Sequence, residues 1–215
     1  MNIWASVGGF KSHQIINLLL SNIIKYIHPN GIVLHTSIGT DNNIPINLSS
    51  RIIMNQLHLR VSHHNHNIFW LHMSNLQLLY THFPVADKDY ITLLSGNSVF
   101  VRDCTRLLTS PVTFTINEKI PTTSVIMNKD DKKPRENLYF KKYLKYINDR
   151  GKNLLTPFNF MYHEGSFYMS YIIKKLYEML KEIDDLKFGT CPYNGEPCSL
   201  EEVVFPSLMW QHFPN

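Results

Sequence analysis

Small residues that could admit a ligand stand directly after the first apolar segment of the chain. Val7 is followed by Gly8 and Gly9, and Lys11 and Ser12 then open a segment with helical spacing. Ligands bind outside the carboxyl ends of strands in open α/β sheets, and helix N-termini favour anions. The segment contains neither G-x-G-x-x-G nor G-K-S/T, which argues against a dinucleotide fingerprint and a P-loop. The two glycines are therefore either part of a ligand-binding edge or an ordinary tight turn.

A second group of short polar residues, Ser95-Gly96-Asn97, follows an apolar and aromatic run over 90–94. Such residues at a strand end can face a phosphate, a sugar or a metal-bound ligand, although an ordinary turn has the same composition. An Asp-x-Asp sequence, Asp87-Lys88-Asp89, precedes this run. We therefore expect Asp87 and Asp89 to lie at the opposite end of the sheet, in a solvated turn.

Two adjacent carboxylates, Glu201 and Glu202, stand near the C-terminus after Ser199. The pattern S-x-x-E is a capping box, in which Ser199 and Glu202 satisfy the first N–H groups of a helix. The same glutamate could act as a general base if it reached a substrate hydroxyl. A helix N-terminus keeps carboxylates ionised, and only the ionised form accepts a proton.

Other side chains with chemical potential form no recognisable site. His63, His64 and His66 are crowded in a polar segment, but their spacing is not that of zinc ligands. The chain has no Gly-x-Ser-x-Gly sequence, and its three cysteines form neither a C-x-x-C motif nor a zinc knuckle. Neither nucleophilic catalysis nor a histidine metal site is predicted.

The apolar periodicity predicts the elements that would hold these residues. A strand, a helix capped by Ser12 and a second strand form a βαβ unit, which requires a parallel pair with a right-handed crossover. We expect one α/β domain over 1–215 with a mostly parallel sheet. Predicted strands cover 3–7, 32–35, 57–61, 90–94 and 112–116, and predicted helices cover 12–27, 68–80, 103–108, 140–147 and 170–184.

The composition excludes several classes of protein. The 215 residues are 44% hydrophobic, and 21 Lys and Arg against 17 Asp and Glu give a net charge of +4. This weak, dispersed charge does not predict nucleic-acid binding, but it would suit a phosphorylated small ligand. We find no membrane span and no signal peptide, and so expect a reduced, cytoplasmic protein.

Four segments in order resemble the core-2/I-branching N-acetylglucosaminyltransferase family, and more loosely the glycosyltransferase domains of large algal (chlorella) DNA viruses. The first covers 3–41 and includes the strand end Leu34-His-Thr-Ser37. The second, Tyr90-Ile-Thr-Leu-Leu-Ser-Gly-Asn97, is similar to the family's LxSGxDxPL segment. The third and fourth are Gly165-Ser-Phe-Tyr-Met-Ser170 and the Ser199-Leu-Glu-Glu segment, which is similar to SPDExxxxTL.

The resemblance implies a GT-A-like fold and transfer of a sugar from a nucleotide donor, expected to be UDP-linked, to a glycan or glycoprotein hydroxyl. Glu202 falls where the family has its catalytic base, with Glu201 beside it. In the same way, the nucleoside, diphosphate or donor sugar would lie near Val7, Gly8, Gly9, Ser37, Ser95 and Asn97. The acceptor would be bordered by His163, Glu164 and Ser166. A viral origin would place the enzyme in the host cytoplasm.

The chain departs from the family's pattern in two respects. Asn97 replaces an acidic residue, so a Mn²⁺ or Mg²⁺ cofactor has no acidic motif in the expected place. The basic residues that metal-independent relatives carry after the glutamate helix do not occur before Asn215. Three alternatives follow: Lys11, Arg51 or Arg102 supplies the positive charge, a metal does, or the chain is the first part of a longer protein.

A non-catalytic nucleotide- or glycan-binding domain of the same fold is the alternative function.

Overall fold

The structure is a computed structural model that describes residues 1–9, 13–36, 51–56, 67–96, 99–103, 105, 108, 112–113, 166–181, 205 and 212. Strands and helices alternate along most of the described chain. In chain order they are β1 (Ile3–Gly9), α1 (His13–Ile27), β2 (Gly31–Thr36), β3 (Ile52–Asn55), α2 (Asn67–His82), β4 (Tyr90–Ser95), β5 (Val112–Thr113), β6 (Phe167–Met169) and α3 (Ser170–Lys181).

The described strands form one mixed sheet in the order β3-β2-β1-β4-β6-β5. The first four in this order are parallel to one another. Strand β6 is antiparallel to both of its neighbours, β4 and β5. The predicted α/β class is therefore confirmed, together with the parallel pairing of the first two strands.

Two of the observed strands were not predicted from the sequence. Strand β3 is only four residues long, and its first three residues are partly exposed. Such a short apolar run cannot be distinguished from a loop by its pattern. Strand β6 has only three residues and leads directly into α3, so it is too short to show an alternating pattern. The strand predicted over 57–61 and the helix predicted over 140–147 lie outside the described residues.

Helix α1 covers one face of the sheet. Alternate residues of β1, namely Ile3, Ala5 and Val7, point to this face and form a cluster with buried side chains of α1. The α1 residues in this cluster are Ile16, Leu19, Leu20, Ile23 and Ile27, which repeat at the spacing expected of a helix with one apolar face.

The segment after β4 is attached to the outer part of α1 by a two-way hydrogen bond. The Asn22 side-chain nitrogen donates to the Phe100 carbonyl at 2.8 Å, and the Phe100 N–H donates to the Asn22 side-chain oxygen at 2.8 Å. The Phe100 ring lies 6.2 Å from the Phe167 ring of β6. The segment thus closes the edge of the apolar layer between α1 and the sheet.

The opposite face of the sheet is covered by α2 and α3. Helix α2 packs on β1, β2 and β3, and α3 packs on β4 and β6. The two helices meet through Tyr80 and Tyr177, whose ring centroids lie 5.9 Å apart. Of the predicted apolar face of α3, Ile173, Leu176 and Leu180 are buried and Tyr177 is half-buried, whereas 183 lies outside the described residues.

A buried carboxylate organises the amino end of the sheet. The Asp89 Oδ1 atom accepts the Asn2 N–H at 2.8 Å, and its Oδ2 atom accepts the Trp4 Nε1–H and the Ala86 N–H, both at 3.0 Å. Its carbonyl accepts the Ser170 N–H at 2.7 Å. Asp89 lies at the predicted end of the sheet, but the prediction of a solvated turn is wrong for it, because only 3% of the residue is exposed.

Burial and hydrogen bonding act in opposite directions on the Asp89 carboxyl. Desolvation raises its pKa, but the N–H groups of Ala86, Asn2 and Trp4 together outweigh this effect and hold the pKa below its usual value. The ionised form is therefore the one that stabilises the fold. Its contribution is complete above the unfolded pKa of 3.8 and is lost as the pH falls through the lower folded value.

Helix α1 ends in a left-handed residue. His28 has a φ of 51°, directly after the last helical residue, and Pro29 follows it. A left-handed residue just past a helix is a common way to end it, and glycine is the usual occupant. The predicted stop signal at His28-Pro29 is thus confirmed, although a histidine occupies the position that favours glycine.

Replacing Asp89 with asparagine should lower the free energy of unfolding at pH 7 by about 3 kcal/mol, because three N–H donors, one of them buried, would lose an ionised acceptor. Chemical denaturation measures the loss. The difference from the unmodified protein should shrink below about pH 4. The exposed neighbour Asp87 is the control, and Asp87→Asn should change stability by less than about 0.5 kcal/mol. Equal losses in both variants would contradict the assignment.

The His28→Gly variant should be more stable than the unmodified protein by about 0.5–1 kcal/mol, because glycine adopts positive φ without steric cost. His28 is exposed, so the substitution removes no packing. Lys25→Gly, in the last turn of the same helix, should instead cost about 1 kcal/mol. Urea unfolding compares the two, and a loss in His28→Gly would show that its backbone is not left-handed.

Candidate functional site

The chain order of the strands creates a switch point beside β1. From β1 the chain proceeds to β2 and β3 on one side and then returns to β4 on the other side. The carboxyl ends of β1 and β4 therefore lie side by side where the strand order reverses. In open α/β sheets ligands bind outside the carboxyl ends of the strands at such a reversal.

A row of small and polar residues crosses the four parallel strands near this edge. Gly8 pairs with His35 of β2 and with Ser95 of β4, and His35 pairs with Asn55 of β3. Paired residues of parallel strands point to the same face of the sheet. Here this is the face covered by α2, because Gly8 stands two positions after Ser6, whose side chain contacts His72 of α2. Strands lie about 4.8 Å apart, so His35 and Ser95 stand about 10 Å apart on either side of Gly8, which has no side chain.

The structure brings together two of the sequence-predicted segments. The predicted glycines at the end of β1 and Ser95 at the end of β4 lie on adjacent strands, and Gly9 pairs with Thr36 at the end of β2. The side chain of Val7 is buried against α1, so Val7 can face the edge only through its main chain. Ser166 is fully buried and directly precedes Phe167, which pairs with Thr92 of β4.

Arg51 is not brought to this edge. It directly precedes β3, whose first residue, Ile52, pairs with Ile32 near the start of β2. Arg51 is exposed and stands four residues before Asn55, which corresponds to about 13 Å along a strand. The remaining predicted site residues lie outside the described residues: Lys11, Ser37, Asn97, His163, Glu164, Glu201 and Glu202.

Directly beneath the row lies a buried polar cluster that the sequence analysis did not identify. Ser6 Oγ is 2.7 Å from His72 Nδ1, and the Asn75 side-chain nitrogen donates to Ser6 Oγ at 3.0 Å. The same nitrogen lies 3.2 Å from the carbonyl oxygens of Val7 and Val33. Asn75 therefore connects α2 to both central strands through their main chains.

The cluster continues to the edge strand. The Asn55 side-chain nitrogen donates to the Asn75 side-chain oxygen at 2.8 Å and to Ser74 Oγ at 2.9 Å. Ser6, His72 and Asn75 are fully buried. A buried polar group without a partner destabilises a fold, so this satisfied network specifies how α2 sits on the sheet.

The first half of α2 is buried on nearly all sides, and this is why its polar residues are buried too. Residues 69–73 are all buried, so the helix is covered nearly all round here and not on one stripe alone. His72 and Asn75 are spaced i, i+3, and this places them on one side of the helix together with Leu76 and Leu79. The i, i+3 spacing of His72 and Asn75 could have indicated a polar side of the helix. It was not recognised because most of the neighbouring residues are apolar.

The described residues provide no obvious binding site for a cation. No group of three or more His, Cys, Asp or Glu side chains among them is arranged to hold a metal ion. The described edge segments 7–9, 35–36, 55–56 and 95–96 contain no Asp, Glu, Lys or Arg. What this part of the edge offers a ligand is thus main-chain groups and the side chains of Ser, Thr, Asn, Gln and His residues.

Comparison with known proteins adds no relative to this picture: no family model, curated protein or solved structure matches the chain. None of the helices in the described part of the chain has the length and apolar character needed to cross a membrane.

Substituting Asn75 by leucine should lower the free energy of unfolding by about 3 kcal/mol, because the buried Asn55 amide and Ser6 hydroxyl would each lose a partner. Ser74→Ala removes one contact of the same network from a half-buried position and should cost about 1 kcal/mol. Denaturant unfolding distinguishes the two. A loss in Asn75→Leu no larger than that in Ser74→Ala would contradict a central role for Asn75.

Proposed function

We propose that the chain binds a nucleotide sugar at the carboxyl edge of β1 and β4 and transfers the sugar to a glycan hydroxyl. The observation that carries the proposal is the switch point, where Gly8 is flanked by Ser95 and His35. This is where an open parallel sheet binds nucleotides, and the two strand ends are those that resemble the donor-binding segments of core-2/I-branching enzymes. A GT-A-like fold is part of the proposal.

The composition of the described edge suits a phosphorylated ligand in one specific way. The edge segments carry no carboxylate that would repel a diphosphate, and the ionised Asp89 belongs to the other end of β4. Ser95 stands six positions after Asp89, which corresponds to about 20 Å along the strand. The buried carboxylate is thus far from the proposed diphosphate site.

In the proposed reaction Glu202 removes the proton of the acceptor hydroxyl while the hydroxyl oxygen attacks the anomeric carbon. The bond from that carbon to the nucleoside diphosphate breaks, so the configuration inverts. Donors at the edge and cationic groups stabilise the charge that develops on the leaving diphosphate. Lys11 and Arg102 are the cationic candidates that remain, since Arg51 stands at the level of the amino half of the sheet. Alignment of both substrates supplies much of the rate.

A non-catalytic nucleotide- or glycan-binding domain of the same fold is the second candidate. The absence of charged side chains from the described edge segments favours it, because binding through main-chain groups requires no catalytic carboxylate. Glu202 would then act only as the cap of a helix. The two candidates share the binding site and differ in the role of one residue.

Titration of the ¹⁵N-labelled protein with UDP, with and without Mn²⁺, should move the amide resonances of Gly8, Gly9 and Ser95. The resonances of Asn2 and Asp89, at the other end of the same strands, should stay in place and serve as the internal control. GDP and CMP test the choice of base. Binding of no nucleotide, or shifts confined to the amino end, would contradict nucleotide binding at this edge.

Glu202→Gln separates the two candidates. If Glu202 is the base, sugar transfer should fall by about 10²-fold or more while the melting temperature and UDP affinity stay unchanged. Ser199→Ala is the matched variant, because it would remove the helix cap that the sequence predicts, and it should lower stability by about 1 kcal/mol with transfer retained. A Glu202→Gln protein that loses stability and keeps its transfer activity would leave the non-catalytic candidate.

A further inference from the structure

Helix α2 runs from the carboxyl edge of the sheet toward its amino end. In the middle of the sheet, His72 of α2 contacts Ser6 of β1. Phe83, directly after the helix, has its ring centroid 5.1 Å from that of Trp4, near the start of the same strand. The first turn of α2 therefore lies on the carboxyl side of His72, and Phe69, three residues earlier, stands about 4.5 Å farther toward that edge.

An aromatic contact joins the C-terminal part of the chain to this first turn. The ring centroids of Phe205 and Phe69 are 5.2 Å apart, and the Trp70 ring meets Phe69 edge-on at 4.7 Å. Phe205 has no exposed surface, and Phe69 is only 1% exposed. Buried aromatic rings dominate packing energetics, so Phe205 is an anchor for the segment that carries it.

The sequence puts two carboxylates within reach of this anchor. Glu201 and Glu202 precede Phe205 by four and three positions, and both glutamates lie outside the described residues. An extended chain spans at most about 3.6 Å per residue, so the Cα atoms of Glu202 and Phe205 can be no more than about 11 Å apart. The anchor thus limits how far Glu202 can be from the first turn of α2.

The described carboxyl edge supplies no carboxylate of its own. Its segments contain neither Asp nor Glu, and the first turn of α2 contributes no acidic residue either. Asp89 is buried and stands at the far end of β4. The carboxylate that the proposed reaction needs as its base therefore comes from a segment outside the described edge. The segment anchored by Phe205 brings Glu202 within reach.

We propose that Phe205 is a positioning residue, which by packing on Phe69 holds Glu202 at the carboxyl edge of the sheet near Gly8. Because Phe205 is fully buried, it acts through the main chain that joins it to Glu202. The role of Glu202 as the base rests on the proposed function, whereas the placement of position 202 at this edge does not.

The placement is tested on the full chain without any substrate. A spin label is attached to Glu202→Cys in a chain whose three native cysteines have been replaced by serine. The amide resonances of Gly8 and Ser95 should broaden. Those of Asn2 and Asp89, about 20 Å away along the strands, should keep their intensity. Equal broadening at both ends of the strands, or none at Gly8, would overturn the proposal.

Substitutions in the labelled chain show whether Phe205 causes this placement. Phe205→Ala should remove the broadening at Gly8, and Phe205→Leu, which keeps the position apolar and is the substitute if Phe205→Ala does not fold, should reduce it. Phe83→Ala is the matched control, because it breaks the aromatic contact at the other end of α2 and should leave the broadening unchanged. Broadening that persists in the Phe205 variants, or is lost equally in Phe83→Ala, would overturn the proposal.

Sugar transfer from UDP-N-acetylglucosamine separates positioning from folding. Phe205→Ala should lower kcat by about 10-fold or more with UDP affinity unchanged, because a displacement of 1 Å can cost about 10²-fold in rate. Phe205→Leu should restore part of the rate, and Phe83→Ala should change neither quantity. An equal loss in Phe83→Ala would reduce Phe205 to a structural role. If the unmodified protein transfers no sugar while the label still broadens Gly8, the proposed function fails and the placement stands.

Discussion

The central position of β1 is the constraint on which the rest of the structure depends. Strand β1 pairs in parallel with both β2 and β4, and helices cover both of its faces, so water reaches its side chains only at its ends. Every polar group along it must therefore find its partner inside the protein. Ser6, the one polar side chain in the middle of β1, does so through His72 and Asn75 of α2.

The same constraint produces two different ends of the sheet. At the amino end an ionised carboxylate, Asp89, collects N–H donors from the chain start, from Trp4 and from the turn before β4. At the carboxyl end the described residues of the row are Gly8, Ser95, His35 and Asn55, none of which carries a carboxylate. The negative charge is thus used to hold the fold together at the end where an anionic ligand is not expected.

The apolar periodicity predicted the helices and the long strands because these elements have one clearly apolar face or a continuous apolar run. Helix α1, with its repeated Ile and Leu, and the buried strand β4 are the clearest cases. Strands β3 and β6 escaped prediction because three or four residues are too few to show a period. The carboxyl ends of β1 and β4 lie side by side because the two strands are parallel neighbours in the sheet. In a parallel arrangement the turns that follow the strands all lie at the same edge.

The buried polar cluster and Asp89 were beyond this kind of prediction for a different reason. A polar residue in an apolar segment can be exposed or can have a buried partner, and the partner is far away in sequence. Ser6 and His72 are 66 positions apart, and Asn2 and Asp89 are 87 positions apart. Local pattern carries no information about such pairs, so Asp89 was expected in solvent and His72 was expected at the edge of a helix instead of in the core.

The Ser6–His72 pair also bears on where chemistry could take place. A serine hydroxyl that donates to a histidine is the first part of a nucleophile and base arrangement. Here, however, Ser6 and His72 are fully buried, and the Asn75 amide occupies the serine oxygen. An attacking oxygen needs access to a substrate, and the buried Ser6 has none. The cluster is thus part of the framework, and any reaction of this protein must use groups that reach the open carboxyl edge above it.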